Sequence, residues 1–415
     1  MRGLTATRTT AFGSVALLLL FIVTSIVRHH ADDQASALRL ELSHVQRRLS
    51  AFGLGGHGTS RHGCPGLPAS LRQPERQTEQ SPLVVVTGGA GFIGSAVVRS
   101  LLDLSYRVRV LDNMSTGRAS NLPQHARLEV LVGDILNGTA TTLAMSGAHL
   151  VVHLAAFSRV APSLEGPDAA VECVRSNVDG TLRVLEAARQ AGVKRLLYAG
   201  SSTAYGGDDY SDDAEDTDTH DGAAAHAFQA AYGMRAAGPM LPSWELDLPQ
   251  PRSPYAASKY AGEVLVQSYD ATFGIPTVIL RLFMCYGPRE PQSGPHATVV
   301  GALLADAAAG RPLRIQGDGT QTRDFVHVDD VARAFVLALQ AEDLPRGAVI
   351  NIGTGVATSI TALADLISPD SARTHVPRRR MDIEGTLANT CAAEALLGWR
   401  ATIGLADGVH SLRTR

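Results

Sequence analysis

From about Pro82 the chain alternates two rhythms of apolar and polar positions. Leu83 to Thr87, Arg107 to Asp112, Leu128 to Asp134, Leu150 to Ala155, Arg195 to Gly200 and Val278 to Phe283 are short runs rich in Val, Leu and Ile, the pattern of strands. Between them, Phe92 to Leu104, Asn177 to Gln190 and Ala256 to Phe273 repeat their apolar residues every three or four positions, which predicts helices. Strand and helix in alternation predict an α/β fold: a doubly wound parallel sheet covered on both faces, with ligands at the carboxyl ends of its strands. Beyond about Gly287 the rhythm becomes irregular, and a smaller lobe that closes over the site is expected there.

The segment before Pro82 follows a different pattern. Thr9 to Val27 is an uncharged run of 19 residues, about 28 Å long as a helix, enough to cross a hydrocarbon core. It reads as a transmembrane signal anchor, with a cleaved signal peptide (Ala35-Ser36-Ala37 as the small-residue site) or an organellar transit peptide as alternatives. Arg2 and Arg8 before it, against Arg28, His29 and His30 after it, lean toward a cytoplasmic N-terminus. The body would then lie in the Golgi or another secretory lumen, in a single-pass type II arrangement. Leu38, Leu42, Val45, Leu49 and Phe52 form one apolar helical stripe, either a short coiled-coil stem or a lone amphipathic helix, and Gly53 to Ser81 reads as a linker. The expected organisation is a tail and anchor over 1–30, a stem and linker over 31–81, a dinucleotide-binding domain over 82–286 with an insertion at 207–251, and a substrate lobe over 287–415.

Composition removes several alternatives. Of 415 residues 45% are hydrophobic and 19% charged, enough apolar material for a sizeable core. The net charge of −3 provides no general basic field, so nucleic acid is not expected as a partner. Cys64, Cys173, Cys285 and Cys391 lie far apart without CxxC spacing, and none of the 14 His residues falls into a metal-ligand pattern. Neither a dense disulfide framework nor a metal site is expected.

The chemistry begins at TGGAGFIGS, Thr87 to Ser95, where Gly88, Gly91 and Gly94 open a helix directly after a strand. Missing side chains let backbone amides and the positive helix end approach a pyrophosphate. Asp112 ends the next strand 24 residues after Gly88, where a carboxylate accepts hydrogen bonds from an adenosine ribose and repels a 2′-phosphate; this selects NAD over NADP. Asp134, at the end of the third strand before Ile135, is a candidate for the adenine edge or for a turn. Ser201 closes the fifth strand, and Tyr255 and Lys259 stand four apart on a helix, so they share a face. There the ammonium is expected to lie beside the ring and lower the phenol pKa, making Tyr255 a base for a substrate hydroxyl while Ser201 bridges.

TGGAGFIG, HLAA at His153 to Ala156, SSTAYG, YAASK, GDGTQTRDFVHVDD from Gly317 to Asp330 and NIGTG from Asn351, in this order, resemble the extended short-chain dehydrogenase/reductase family, specifically its nucleotide-sugar epimerases and dehydratases. The resemblance covers nearly all of Pro82 to Arg415. It implies a Rossmann domain with tightly held NAD, a lobe binding a UDP-sugar, and a homodimer. It assigns catalysis to Ser201, Tyr255 and Lys259. The cofactor contacts it implies are Gly88, Gly91, Phe92, Ile93 and Gly94 in the turn, Asp112, Asn113, Asp134 and Ile135 at strand ends, Leu154, Ala155 and Ala156 after the fourth strand, and Asn177, Tyr255 and Lys259 on helices. Arg323 in TRDF and Arg379, three before Asp382, resemble diphosphate and nucleotide contacts, with Arg378 and Arg380 as neighbours that could serve instead.

Two positions sort the branches of this family. Dehydratases place Asp and Glu directly after the hydroxyl residue, and UDP-glucuronate decarboxylases place Glu two after it; here Ser202 and Thr203 stand there. Without those carboxyls the resemblance implies a 4-epimerase acting on UDP-glucose/UDP-galactose or UDP-glucuronate/UDP-galacturonate. A UDP-glucuronate decarboxylase and a noncatalytic NAD(H)-binding protein are the alternatives. Two features depart from the family pattern. Met284 replaces the Asn of RxFNxYGP, a substrate-phosphate contact. Between Tyr205 and Tyr255 lie 49 residues, with eight acids among the fourteen of Asp208 to Asp221, read as a solvated surface insertion.

Overall fold

Every residue of Leu83–Thr87 is buried, as a parallel strand sandwiched between helices must be. In this computed structural model, which describes residues 71–77, 81–206, 241–378 and 382–414, that strand (β1) is central to a seven-stranded parallel sheet. The other strands are β2 (Arg107–Asp112), β3 (Leu128–Val132), β4 (Leu150–His153), β5 (Arg195–Ser201), β6 (Thr277–Leu282) and β10 (Ala348–Ile352), in the order β10-β6-β5-β4-β1-β2-β3. Chain order reverses between β1 and β4. In an open α/β sheet that reversal leaves a crevice at the carboxyl ends of the strands, the place where ligands bind.

The helices, in chain order, are α1 (Phe92–Asp103), α2 (Gly138–Met145), α3 (Pro167–Val174), α4 (Gly180–Gln190), α5 (Pro254–Phe273), α6 (Val299–Ala308), α7 (Val328–Gln340), α8 (Ile360–Ile367), α9 (Cys391–Leu397) and α10 (Leu405–Arg413). One core joins β1, β2 and β6 to the apolar faces of α1 and α7, through residues such as Val97, Leu101, Val331 and Phe335. The core on the opposite face takes Met145, Leu185 and Val266 from α2, α4 and α5. Helix α5 starts under strong local instruction, with Ser253 as N-cap bonding the Ala256 amide and Pro254 in the first turn.

A second lobe surrounds a third core of Tyr286, Leu303, Phe325, Leu363 and others. It holds the three-stranded sheet β11-β9-β7 (Ala357–Ser359, Thr322–His327, Met284–Tyr286) and the pair β12-β8 (Arg373–Val376, Leu313–Gln316). The two layers are not consecutive in sequence, because β10 and α7, both beyond residue 287, return to the large sheet. Two buried carboxylates clamp the lobe. Asp324 accepts from the amides of Thr354, Gly355 and Ala388, and Asp330 accepts from those of Thr402 and Ile403. Residues of the TRDF, NIGTG and HVDD motifs thus hold the lobe together.

The expected linker ends earlier than Ser81. Arg72 donates its amide to Gly398, while Glu75 and Gln340 exchange hydrogen bonds between side chain and backbone, so Leu71–Gln77 lies against the body. Among the described residues no helix is long and apolar enough to cross a membrane. The expected anchor at Thr9 to Val27, the stem, Cys64, the acidic stretch Asp208 to Asp221 and Arg379 all lie outside the described residues.

Candidate active site

The crevice at the β1/β4 reversal is lined by the glycine turn, the ends of β2, β4 and β5, the first turn of α5 and the facing loops of the second lobe. Gly88 takes φ +70, a left-handed conformation that favours glycine, and a Cβ there would meet the Ala155 amide nitrogen at 2.6 Å. A Cβ on Gly94 would collide with the Gly88 carbonyl. Helix α1 begins at Phe92 with no side-chain cap, so its amino end faces the crevice as a cradle for an anion. These features fit a dinucleotide pyrophosphate.

Asp112, 7% exposed, accepts from the Ala90 amide at 2.9 Å and the Met114 amide at 2.8 Å. It thus ties the glycine turn to the loop after β2 while lining the crevice. Asp134 accepts from Asn113 at 2.9 Å and from the Leu136 amide at 2.8 Å, and also lines it. Ile135, Leu154, Ala155 and Ala156 stand on the same wall. Asn177 does not fit the direct-contact expectation: it is 1% exposed, in a π-helical turn between α3 and α4. Its amide group bonds the Phe157 amide and carbonyl and the Ser258 hydroxyl, at 2.8, 3.1 and 2.8 Å. A buried amide so engaged braces the cofactor wall from behind.

Ser201, Tyr255 and Lys259 come together as expected. Burial raises the Tyr255 pKa, while the Ser201 hydroxyl pulls it the other way without cancelling the rise. Ser201 Oγ also lies 2.9 Å from Thr203 Oγ1 and accepts from the Thr203 amide at 3.3 Å. The expected partnership of Lys259 with the tyrosine ring takes another form. Its ammonium sits 4.2 Å over the ring of Tyr198, and burial pulls its pKa down to about 7 against the opposing charge of Glu263. The positive charge that lowers the Tyr255 pKa is that of Arg159.

Behind this trio lies a polar network that periodicity did not reveal. Glu263, one turn beyond Lys259, pairs with Arg281 of β6, both side chains at most 3% exposed. Arg281 lies 4.7 Å over the Tyr205 ring and donates to the Glu245 carbonyl. Tyr205 donates to Asn351 at 2.6 Å, and the Asn351 amide donates to Glu245 Oε1 at 2.8 Å. Burial pushes the Glu245 carboxyl up to about 7. The one sequence signal was spacing, since 255, 259 and 263 share one helical face.

Arg323, 7% exposed and paired with Asp382 at 2.5 Å, lines the crevice, as does Met284. Of the cysteines, Cys173 and Cys285 are free and buried, whereas Cys391 is disulfide-bonded, which the spacing did not foretell. Among the described residues no His/Cys/Asp/Glu group could hold a metal.

Comparisons with known proteins agree with this geometry. Residues 84–353, well over half of the chain, match the NAD dependent epimerase/dehydratase family. The chain is similar to a UDP-glucose 4-epimerase of Mycolicibacterium smegmatis, 37% identical over 337 residues, covering 78% of this chain and 95% of the relative. Among solved structures it is similar to the UDP-glucose 4-epimerase of Thermotoga maritima with UDP-glucose, at a TM-score of 0.68 and 30% identity, covering 80% of this chain and 99% of that one. It is likewise similar to the UDP-glucuronic acid 4-epimerase of Bacillus cereus in complex with UDP-glucuronic acid and NAD, at a TM-score of 0.67 and 30% identity, covering 80% and 98%. With the glycine turn, the strand-end acid and the Ser-Tyr-Lys trio in one crevice, the chain belongs to the NAD dependent epimerase/dehydratase family.

Proposed function

We propose that the protein is an NAD-dependent nucleotide-sugar 4-epimerase, acting on UDP-glucose/UDP-galactose or UDP-glucuronate/UDP-galacturonate. The observation that carries this reading is the catalytic wall: Ser201, Tyr255 and Lys259 line one crevice, and Ser202 and Thr203 rather than carboxyls follow Ser201. The glycine turn and Asp112 would hold NAD, which would supply a hydride acceptor and donor for sugar carbon 4. The protein's share is proton handling and orientation. Tyr255 would take the proton of the 4-hydroxyl and Ser201 would bridge phenol and substrate oxygen, with Lys259 on the same wall, its ammonium over the Tyr198 ring. Arg323, paired with Asp382, and Met284 at the start of β7 line the same crevice and would contact the sugar nucleotide. Because the hydride taken from carbon 4 would be given back in each turnover, the reaction needs no external oxidant.

The test is mass balance on the purified body with UDP-glucuronate and UDP-glucose. A product of unchanged mass with inverted carbon 4 is expected. Carbon dioxide, or a product lighter by one water, at comparable turnover would overturn the assignment.

The membrane anchor, the lumenal placement and the homodimer belong to the same proposal. The anchor rests on the 19-residue apolar run at Thr9 to Val27. The disulfide at Cys391 supports an oxidising compartment. Exposed Val171 and Val174 on α3, Leu182 on α4 and Val264 on α5 form an apolar helical surface that a second copy would cover.

A further inference from the structure

Lys259 is 5% exposed, and the carboxylate one turn further along α5, Glu263, is given to Arg281 in a two-point pair. What faces its ammonium is an aromatic ring. Lys259 Nζ lies 4.2 Å from the centroid of Tyr198, which stands on β5 three residues before Ser201. That ring is held in turn. It is 1% exposed, its hydroxyl donates to the Lys259 carbonyl at 3.2 Å, and the His153 ring of β4 lies 5.7 Å from it. Gly262, in the interior of α5, completes the fit: a Cβ there would meet the Tyr198 hydroxyl oxygen at 2.3 Å and Cζ at 2.9 Å. Glycine weakens a helix interior, and here its missing side chain makes room for the ring.

The charges around Lys259 leave the ring a large share in keeping it a cation. Burial disfavours the charged form, while Glu263 on α5 and Cys173 on α3 favour it. Glu263 is already shared with Arg281, and burial raises the pKa of the Cys173 thiol. His153 is held neutral by burial, its pKa pulled down to about 3. Burial likewise raises the pKa of the Tyr198 and Tyr255 phenols. Near neutral pH none of these groups brings an unshared negative charge to the ammonium.

We propose that Tyr198 is a positioning residue of the catalytic wall: the face of its ring seats the Lys259 ammonium as a cation, and Gly262 is the space that lets the ring dock. This rests on the epimerase reading of the crevice. The negative face of an aromatic ring attracts a cation, and more strongly away from water. The hydroxyl has a separate task, tying β5 to α5, so ring and hydroxyl can be tested apart.

The chain has two lysines, Lys194 and Lys259, and Lys194 is exposed. Lysine labelled with carbon-13 at Cε therefore gives two resonances, one of them an internal reference, for an NMR titration of the full-length, NAD-loaded protein. In Tyr198→Phe, which keeps the ring, the Lys259 midpoint should stay near that of the wild type. In Tyr198→Leu it should fall by about one pH unit, the scale of a cation–π contact away from water, because the lost interaction favours only the charged form. Turnover should follow: the Phe-to-Leu ratio of kcat should widen toward about tenfold as pH rises through the two midpoints. A purely structural loss would lower kcat equally at every pH. Gly262→Ala, which displaces the ring without removing it, should also lower the midpoint, and adding Tyr198→Phe should restore part of the shift by removing the clashing hydroxyl. That pair decides the matter if the Leu variant fails to fold. A Lys259 midpoint unmoved by Tyr198→Leu and by Gly262→Ala, or moved as far by Phe as by Leu, would overturn the assignment of Tyr198 and leave the epimerase standing. An NAD-loaded wild type that epimerises neither UDP-glucose nor UDP-glucuronate would sink the epimerase reading and, with it, the catalytic meaning of this seat.

Discussion

A phenol is a poor base at neutral pH unless its surroundings favour the charged form. At Tyr255 burial works against that form, while the Ser201 hydrogen bond and the Arg159 charge work for it. Ser201 is itself fixed by two contacts from Thr203. Removing only the hydroxyl, as in Tyr255→Phe, should lower turnover by about 10² to 10⁴ while bound NAD is retained. Single-turnover kinetics with NAD quantified after denaturation checks both halves, and a Phe variant with unchanged turnover would refute the proton-transfer role.

Helix α5 carries more than the catalytic pair. Tyr255, Lys259 and Glu263 lie along one face, and Glu263 continues into Arg281, Tyr205, Asn351 and Glu245, joining α5, β6, β10 and the segment before Gln250. Glu245 gives this network a pH signature. Its folded pKa of about 7 lies above the ordinary carboxyl value of 4.5. Between those values the native state binds more protons than the unfolded one, so this group's contribution to stability falls as pH rises from 4.5 to 7 and is level above. Glu245→Gln cannot ionise and keeps an acceptor for the Asn351 amide. Its Tm relative to wild type should therefore rise across that window, on the order of 2 °C per kcal/mol of relief, then stay constant. Thermal melts of both proteins from pH 4.5 to 8 that run parallel would disprove the raised Glu245 titration.

On the scale of the molecule, the catalytic body and the proposed anchor are separable in sequence but not at Ser81. Leu71–Gln77 is tied to Gly398, Gln340 and Leu104. A chain beginning at Gly53 should therefore be soluble without detergent and as active as the full chain, whereas one beginning at Pro82 should melt several degrees lower. Fractionation and melting of the two truncations decide this. Uncleaved full-length protein in the detergent-free soluble fraction would contradict the anchor.

How far the chain could be read without its structure differs from one element to the next. Glycine placement, strand runs and the order of motifs announced the parallel sheet, the NAD crevice and the Ser201-Tyr255-Lys259 trio, because each depends on chemistry within a few residues or on a helical repeat. Helix α5 was legible almost to its ends, since its cap, Pro254 and period act locally. The relations that crossed the fold were not legible. Asn177 had the right type for a cofactor contact, but its amide is spent on Phe157 and Ser258, 20 and 81 residues away. Lys259 had the right spacing for Tyr255, yet its ammonium rests on Tyr198 from β5. Local pattern determines which backbone forms and where a cofactor can approach; the direction of a buried charge is set by whichever distant groups share its low-dielectric surroundings, and only the tertiary structure decides those.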